Sequence, residues 1–167
     1  NITFTVNEYT LTRTKTITIN SNKTAEITGT GKITSGTSNI NTITNNGILT
    51  ISNKIVIENN SLNSYSVINN DSSNSILNIL DSVNILGNYK GISNRGTTNI
   101  NSGKIEAKYQ GNNAYGIYNG SSSKLYINGG EIKGYNGIYN TSNCEINNGK
   151  IIGTRGYGIN GGAININ

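Results

Sequence analysis

From Gly116 the chain reads GIYNGSSSKLYINGGEIKGYN, and from Gly137 it reads GIYNTSNCEINNGKIIGTRGY, two versions of one phrase. Each holds three short stretches in which apolar and polar residues alternate, parted by Asn and Gly, and a third copy begins at Gly158 with GINGGAININ. Alternation with a period of two marks a strand, because successive side chains leave opposite faces. A phrase this short cannot bury an apolar face by itself. Stacking on its neighbours does so, and a repeat of about 20 residues made of strands therefore dictates a solenoid.

Upstream the copies loosen but keep their columns. The element IxN places Ile43, Ile68, Ile92, Ile117, Ile138 and Ile159 at steps of 25, 24, 25, 21 and 21. Two places on stand Asn45, Asn70, Asn94, Asn119 and Asn140, with Gly161 in the last coil. Stacked Asn side chains at a turn bond amide to amide between coils, so these five are expected to form a structural ladder. A second strand supplies Ala25, Leu49, Leu77, Thr98, Leu125, Cys144 and Ile164, and two places on Ile27, Ile51, Ile79, Ile100, Ile127, Ile146 and Ile166. Cys144 thus takes an inward place, where a thiol behaves as a small apolar group. A nucleophilic thiol needs a base such as His nearby, and the chain has no His.

The third strand is expected to point Ile33, Ile55, Val83, Ile105, Ile132 and Ile151 inward. The residues before them, Lys32, Lys54, Ser82, Lys104, Glu131 and Lys150, then face out, followed by the outward column Thr34, Val56, Asn84, Glu106, Lys133 and Ile152. Glu131 would lie between Lys104 and Lys150, and Glu106 beside Lys133. Cross-strand ion pairs of roughly 0.2–1 kcal/mol each would set the register of the coils. A basic strip at Lys32 and Lys54 for an anionic polymer is the other reading of this face.

Residues 1–22, NITFTVNEYTLTRTKTITINSN, alternate but fit the repeat poorly. Terminal coils of solenoids are atypical, so this stretch is expected to be an N-terminal cap or partial first coil, ahead of one continuous repeat domain over 23–167. There are 28 Ile but only 33% hydrophobic residues, enough for a core one or two side chains wide and suited to strands. The chain has no Met, which leads us to expect a mature or excised segment. It has no apolar run long enough for a membrane helix, and membrane insertion is not expected. The net charge of +5 is scattered without the patch that nucleic acid requires, so no nucleic acid partner is expected. With one Cys an internal disulfide is impossible. A surface of Asn, Ser, Thr and Gly with 13% charged residues suggests an extracellular location, at a cell surface or secreted.

Tyrosines gather where the third strand leads to the next coil: Tyr65, Tyr89, Tyr109, Tyr115, Tyr135 and Tyr157, while Tyr118 and Tyr139 share one outward column beyond it. Insertions in a solenoid collect on one edge, and that edge often carries recognition. As a glycan-binding surface the edge would use Tyr115, Tyr118, Tyr135, Tyr139 and Tyr157, with Lys90 and Arg155 placed to meet an acidic sugar. As a packing ladder the same rings would cover the core and leave no free face. The residues leave both readings open.

With three strands per coil, an Asn ladder and 21 to 25 residues per turn, the chain resembles the right-handed parallel β-helix superfamily that includes pectate-lyase-like enzymes. In detail GIYNGSSSKLYINGGEIKG and GIYNTSNCEINNGKIIG look like the Gly- and Asn-rich repeats of Gram-positive bacterial surface proteins and adhesins. The resemblance covers about residues 23–167. It implies an all-β fold, a single right-handed parallel β-helix of about six coils.

The enzymes' clustered Asp, Arg and Lys have no counterpart here. Glu26 and Glu145 share an outward column five coils apart, roughly 24 Å, whereas paired glycosidase carboxylates stand about 5–9.5 Å apart. No carboxylates converge as calcium requires, and no helix follows the glycine turns as a phosphate loop requires. Neither enzymatic activity nor a cofactor is therefore expected. The function expected is a stalk or a glycan- or host-surface-binding module of an adhesin, with a glycan or cell-wall polymer as partner. The alternatives are a self-assembling filament subunit joined end to end, and a tailspike-like polysaccharide-active protein whose site is not complete in this chain.

Overall fold

A computed structural model describes residues 1–61 and 63–167. Three parallel sheets, of eight, seven and seven strands, each take one strand from every coil, and the chain winds through them as a right-handed β-helix of about seven coils. Among the described residues there is no helix, so none is long and apolar enough to cross a membrane. Right-handed winding is the hand that twisted strands favour in parallel crossovers. At about 4.8 Å per coil the stack is roughly 30–35 Å long. The coil count exceeds the six expected because Ile2–Val6, Thr10–Arg13 and Ile17–Ile19 fill one place in each sheet, opposite Thr24–Gly29, Lys32–Ser35 and Ile43–Asn45.

The core is built mainly of two apolar columns of the first sheet, one Leu-rich and one of Ile, with one column of the second sheet and one of the third. Ala25 pairs Leu49, Leu49 pairs Leu77, and the row continues through Thr98, Leu125 and Cys144 to Ile164; Ile27 heads the row that ends at Ile166. Leu49, Ile51, Leu77, Ile79 and Ile100 have no exposed surface. Thr98 is tolerated among them because its hydroxyl donates to Asn94 Oδ1 at 2.9 Å, which leaves no buried polar atom unpaired.

The asparagine ladder is continuous. Asn45 Nδ2 donates to Asn70 Oδ1 (2.8 Å), Asn70 to Asn94 (2.9 Å), Asn94 to Asn119 (2.8 Å) and Asn119 to Asn140 (2.7 Å), all five at most 1% exposed. Each second amide proton of Asn45, Asn94 and Asn119 goes to a backbone carbonyl of the coil beyond, on Ile76, Lys124 and Asn143. A second row runs over the turns between the first and second sheets: Asn167 donates to Asn147, Asn147 to Asn128 and Asn128 to Asn101, at 2.6–2.8 Å and exposed.

The second sheet differs from the expected alignment in two coils. Ile33 pairs Ile57, Ile57 pairs Ile85 and Ile85 pairs Ile105, so Ile57 and Ile85 hold the inward column in place of Ile55 and Val83. Ile55 and Val83 join the buried core just ahead of these strands, and Lys54 and Ser82 lie exposed in the preceding turn instead of on the strand. The outward columns shift with them. Val56 and Asn84 stand beside Lys32 and Lys104, and Glu58 enters the row of Thr34, Glu106 and Lys133. The cause is turn length: the turns at Asn53 and Asp81 adopt left-handed backbone (φ 68° and 54°) and use two more residues than the spacing to Ile55 and Val83 allows.

Glycine is required where strands of the third sheet bend over the core. A Cβ on Gly116 would stand 2.7 Å from Ile132 Cγ2 and 2.8 Å from Gly137 O, distances at which a packed interior cannot yield.

Candidate functional site

The tyrosine edge divides into two parts that meet at Tyr115. The first part is a stack on the outer face of the third sheet. Tyr118 and Tyr139 lie opposite each other on neighbouring strands, ring centroids 5.3 Å apart and planes 10° from parallel. Tyr115 leans on both, at 6.0 and 5.2 Å. From the strand on the other side, Lys90 sets Nζ 5.3 Å from the centroid of Tyr118. One face of Tyr118 is therefore occupied by a ring and the other by a cation, an arrangement worth about 0.5–2 kcal/mol. Burial, and secondarily the charge of Arg95, hold the Lys90 ammonium below its ordinary range. Burial between its neighbours likewise pushes the Tyr115 hydroxyl up.

The second part is a groove of about 600 Å³ walled by three successive connections: Asn112, Asn113 and Tyr115; Tyr135 and Asn136; Arg155, Gly156, Tyr157 and Asn160. Asn136, 4% exposed, holds the walls in place. Its Nδ2 donates to Asn112 O at 3.0 Å and its Oδ1 accepts Tyr157 N–H at 2.9 Å, so one side chain ties the connection before it to the one after. Gly156 N–H donates to Tyr135 O at 2.9 Å. Because the last connection crosses so close above Tyr135, a Cβ on Gly156 would meet Tyr135 Cε1 at 2.9 Å. Tyr157 is 65% exposed, so its ring has a free face that Tyr118 lacks.

Charge around the groove is one-sided. Among the described residues Arg155 has no carboxylate within salt-bridge distance, whereas Lys104, Lys108, Lys133, Lys150 and Arg95 are all paired, Lys104 with Glu106 at 2.7 Å and Lys108 with Glu58 at 2.9 Å. Lys32 also pairs with Glu58, so the basic strip expected at Lys32 and Lys54 does not form. Burial raises the Glu58 carboxyl, but the hydrogen bonds and charges of Lys32 and Lys108 outweigh it and hold the group below its ordinary value; Lys104 and Lys133 do the same for Glu106. Glu131 does lie between Lys104 and Lys150, and pairs with Lys150 at 3.5 Å.

The structure thus brings Tyr115, Tyr135, Tyr157 and Arg155 together as one concave surface and gathers Tyr118, Tyr139 and Lys90 into a stack beside it. Sequence reasoning missed Asn136 as the pin of the groove and Glu58 as the double acceptor. The equal spacing of Ile27 to Ile33, Ile51 to Ile57 and Ile79 to Ile85 was the signal that would have found Glu58. Among the described residues no three His, Cys, Asp or Glu side chains gather as a metal site would need. Neither a protein-family model, nor a curated protein, nor a solved structure matches this chain, so the site rests on its own geometry.

Proposed function

We propose that this chain is a non-enzymatic, extracellular β-helix module of a bacterial surface protein, and that it binds a glycan in the groove between Tyr115 and Tyr157. The observation that carries the reading is the groove itself: three tyrosine rings, of which Tyr157 is exposed, a guanidinium with no carboxylate partner among the described residues and several carboxamides converge on a volume suited to a small ligand. Sugar rings lie well on aromatic faces, where CH groups desolvate while hydroxyls keep partners on the rim. Carboxamides from Asn112, Asn113 and Asn160 offer both donors and acceptors to those hydroxyls. The likeness of the repeats to Gly- and Asn-rich stretches of Gram-positive adhesins supports the surface location.

The test is a glycan array followed by calorimetry on the full chain. The expected result is a hit that Tyr157→Ala and Arg155→Ala each weaken about tenfold or more, the scale of one lost stacking or charged contact, with the melting temperature unchanged. Binding that survives both substitutions, or an array with no hits, overturns the site.

A further inference from the structure

The chain contains six Asn-Gly pairs, beginning at Asn46, Asn119, Asn128, Asn136, Asn148 and Asn160. In such a pair the glycine amide nitrogen can attack the Asn side chain, because no Cβ shields it. Whether it does so depends on two things the fold controls: whether the amide nitrogen is bonded elsewhere in the fold, and whether the pair's own carboxamide lies against it.

At three pairs the nitrogen is already held. Gly47 N–H donates to Asn45 Oδ1, Gly120 N–H to Asn94 O and Gly137 N–H to Tyr157 O. At Asn128 the carboxamide is clamped from both sides in the outer amide row, giving to Asn101 and accepting from Asn147 at 2.8 Å each, and Gly129 is buried. Asn148 differs on both counts. It and Gly149 are exposed, its side chain stands outside both amide rows, and among the described residues Gly149 N–H is bonded nowhere else in the fold: it donates to Asn148 Oδ1 at 2.8 Å, which sets the carboxamide against the nitrogen that would attack it. Gly149 sits at φ +120°, a backbone conformation that only glycine adopts without strain. At Asn160 no such contact is made with Gly161 N among the described residues, and Asn160 is itself half-buried and held in a strand, paired with Tyr139.

We infer that Asn148 is a self-modification site, at which the native fold selects one Asn-Gly pair for deamidation. Gly149 N gives its proton to solvent base and bonds to Asn148 Cγ. Nδ2 takes a proton back from solvent, the Cγ–Nδ2 bond breaks, ammonia leaves, and a five-membered succinimide remains. Water then opens the ring at one carbonyl to give Asp, or at the other to give isoaspartate, and no electrons are gained or lost. The product carries a carboxylate two residues from Lys150, which now holds Glu131. The isoaspartate form also adds a methylene to the main chain of the turn that feeds Lys150–Gly153. This inference is independent of the glycan reading.

The experiment is incubation of the native chain in mildly alkaline buffer, with ammonia release and peptide mapping by mass spectrometry, beside the same chain in urea. Asn148 is expected to convert first, more than about tenfold ahead of Asn119 and Asn136, whose release requires local opening, while in urea the six pairs converge. Asn148→Gln is expected to remove the first phase of ammonia release and to leave the circular dichroism unchanged. Conversion led by Asn128 or Asn160, an early phase that survives Asn148→Gln, or the same order in urea as in the native chain, overturns it.

Discussion

Cys144 lies between Leu125 and Ile164 and is 3% exposed, and burial pushes its thiol up to about 11. A thiol this high holds little thiolate at neutral pH and lacks a base beside it. Native protein should therefore resist thiol reagents until it unfolds. Cys144→Ser should cost about 1–3 kcal/mol in urea unfolding, because it puts a hydroxyl between the apolar side chains of Leu125 and Ile164. Glu58 makes a second prediction at this scale. Its folded value is depressed from the ordinary 4.5 by Lys32 and Lys108 against the opposing effect of burial, so its stabilisation is present above 4.5 and is lost as pH falls through the folded value. Stability measured from neutral pH downward should drop below 4.5, and Glu58→Gln should flatten that drop. The place of Cys144 was legible in the sequence because a strand column needs only every second residue. Glu58 was not, since a turn with two extra residues moves a whole strand by one pleat pair without changing its apolar pattern.

Within single elements, the stack on the third sheet shows how one pattern admits two roles. Tyr118 and Tyr139 share an outward column, which the sequence makes plain, but whether a ring offers its face depends on what lies above and below it. Here Tyr139 covers one face of Tyr118 and Lys90 the other. Changing both tyrosines to Ala should therefore lower stability by about 1–3 kcal/mol, seen as a fall in melting temperature, while glycan binding in the neighbouring groove persists. Loss of binding with stability intact would return the contact surface to this pair. The groove itself could not be read from the sequence. It depends on Asn136, one of 33 Asn residues, and nothing in its immediate neighbours marks it as the residue that ties Asn112 to Tyr157.

For the molecule as a whole, coils make almost all their contacts with their neighbours, the Lys108–Glu58 bridge reaching across one coil, so stability is close to a sum of coil and interface terms. Removing Gly116–Asn136 joins Tyr115 to Gly137 and brings Ile138 to the place of Ile117 without a change of register. The shortened chain should keep a β-sheet circular dichroism spectrum and a cooperative melt, and be about 4.8 Å shorter by scattering; a molten chain would show that coils are not interchangeable. Architecture was legible at this scale because every column repeats several times, and a repeated signal survives the local slip that misplaced Ile55 and Val83.

The buried ladder also gives the molecule an electrical direction. Parallel strands contribute little net dipole, but the carboxamides of Asn45, Asn70, Asn94, Asn119 and Asn140 all give their protons toward the later coils, and their dipoles add. The outer row from Asn167 to Asn101 points the opposite way, in water, where it is screened. Inside, each bond polarises the next, so the interior row behaves as one object with a positive end at Asn140, whose protons are met by the carbonyls of Ser142 and Ala163. A break in its middle should then be worse than a break at its end. Asn94 makes two ladder bonds and Asn45 one, so Asn94→Ala is expected to cost more than twice as much in urea unfolding as Asn45→Ala, although both side chains are wholly buried; costs in proportion to the bonds lost would mean the five amides act as separate pairs.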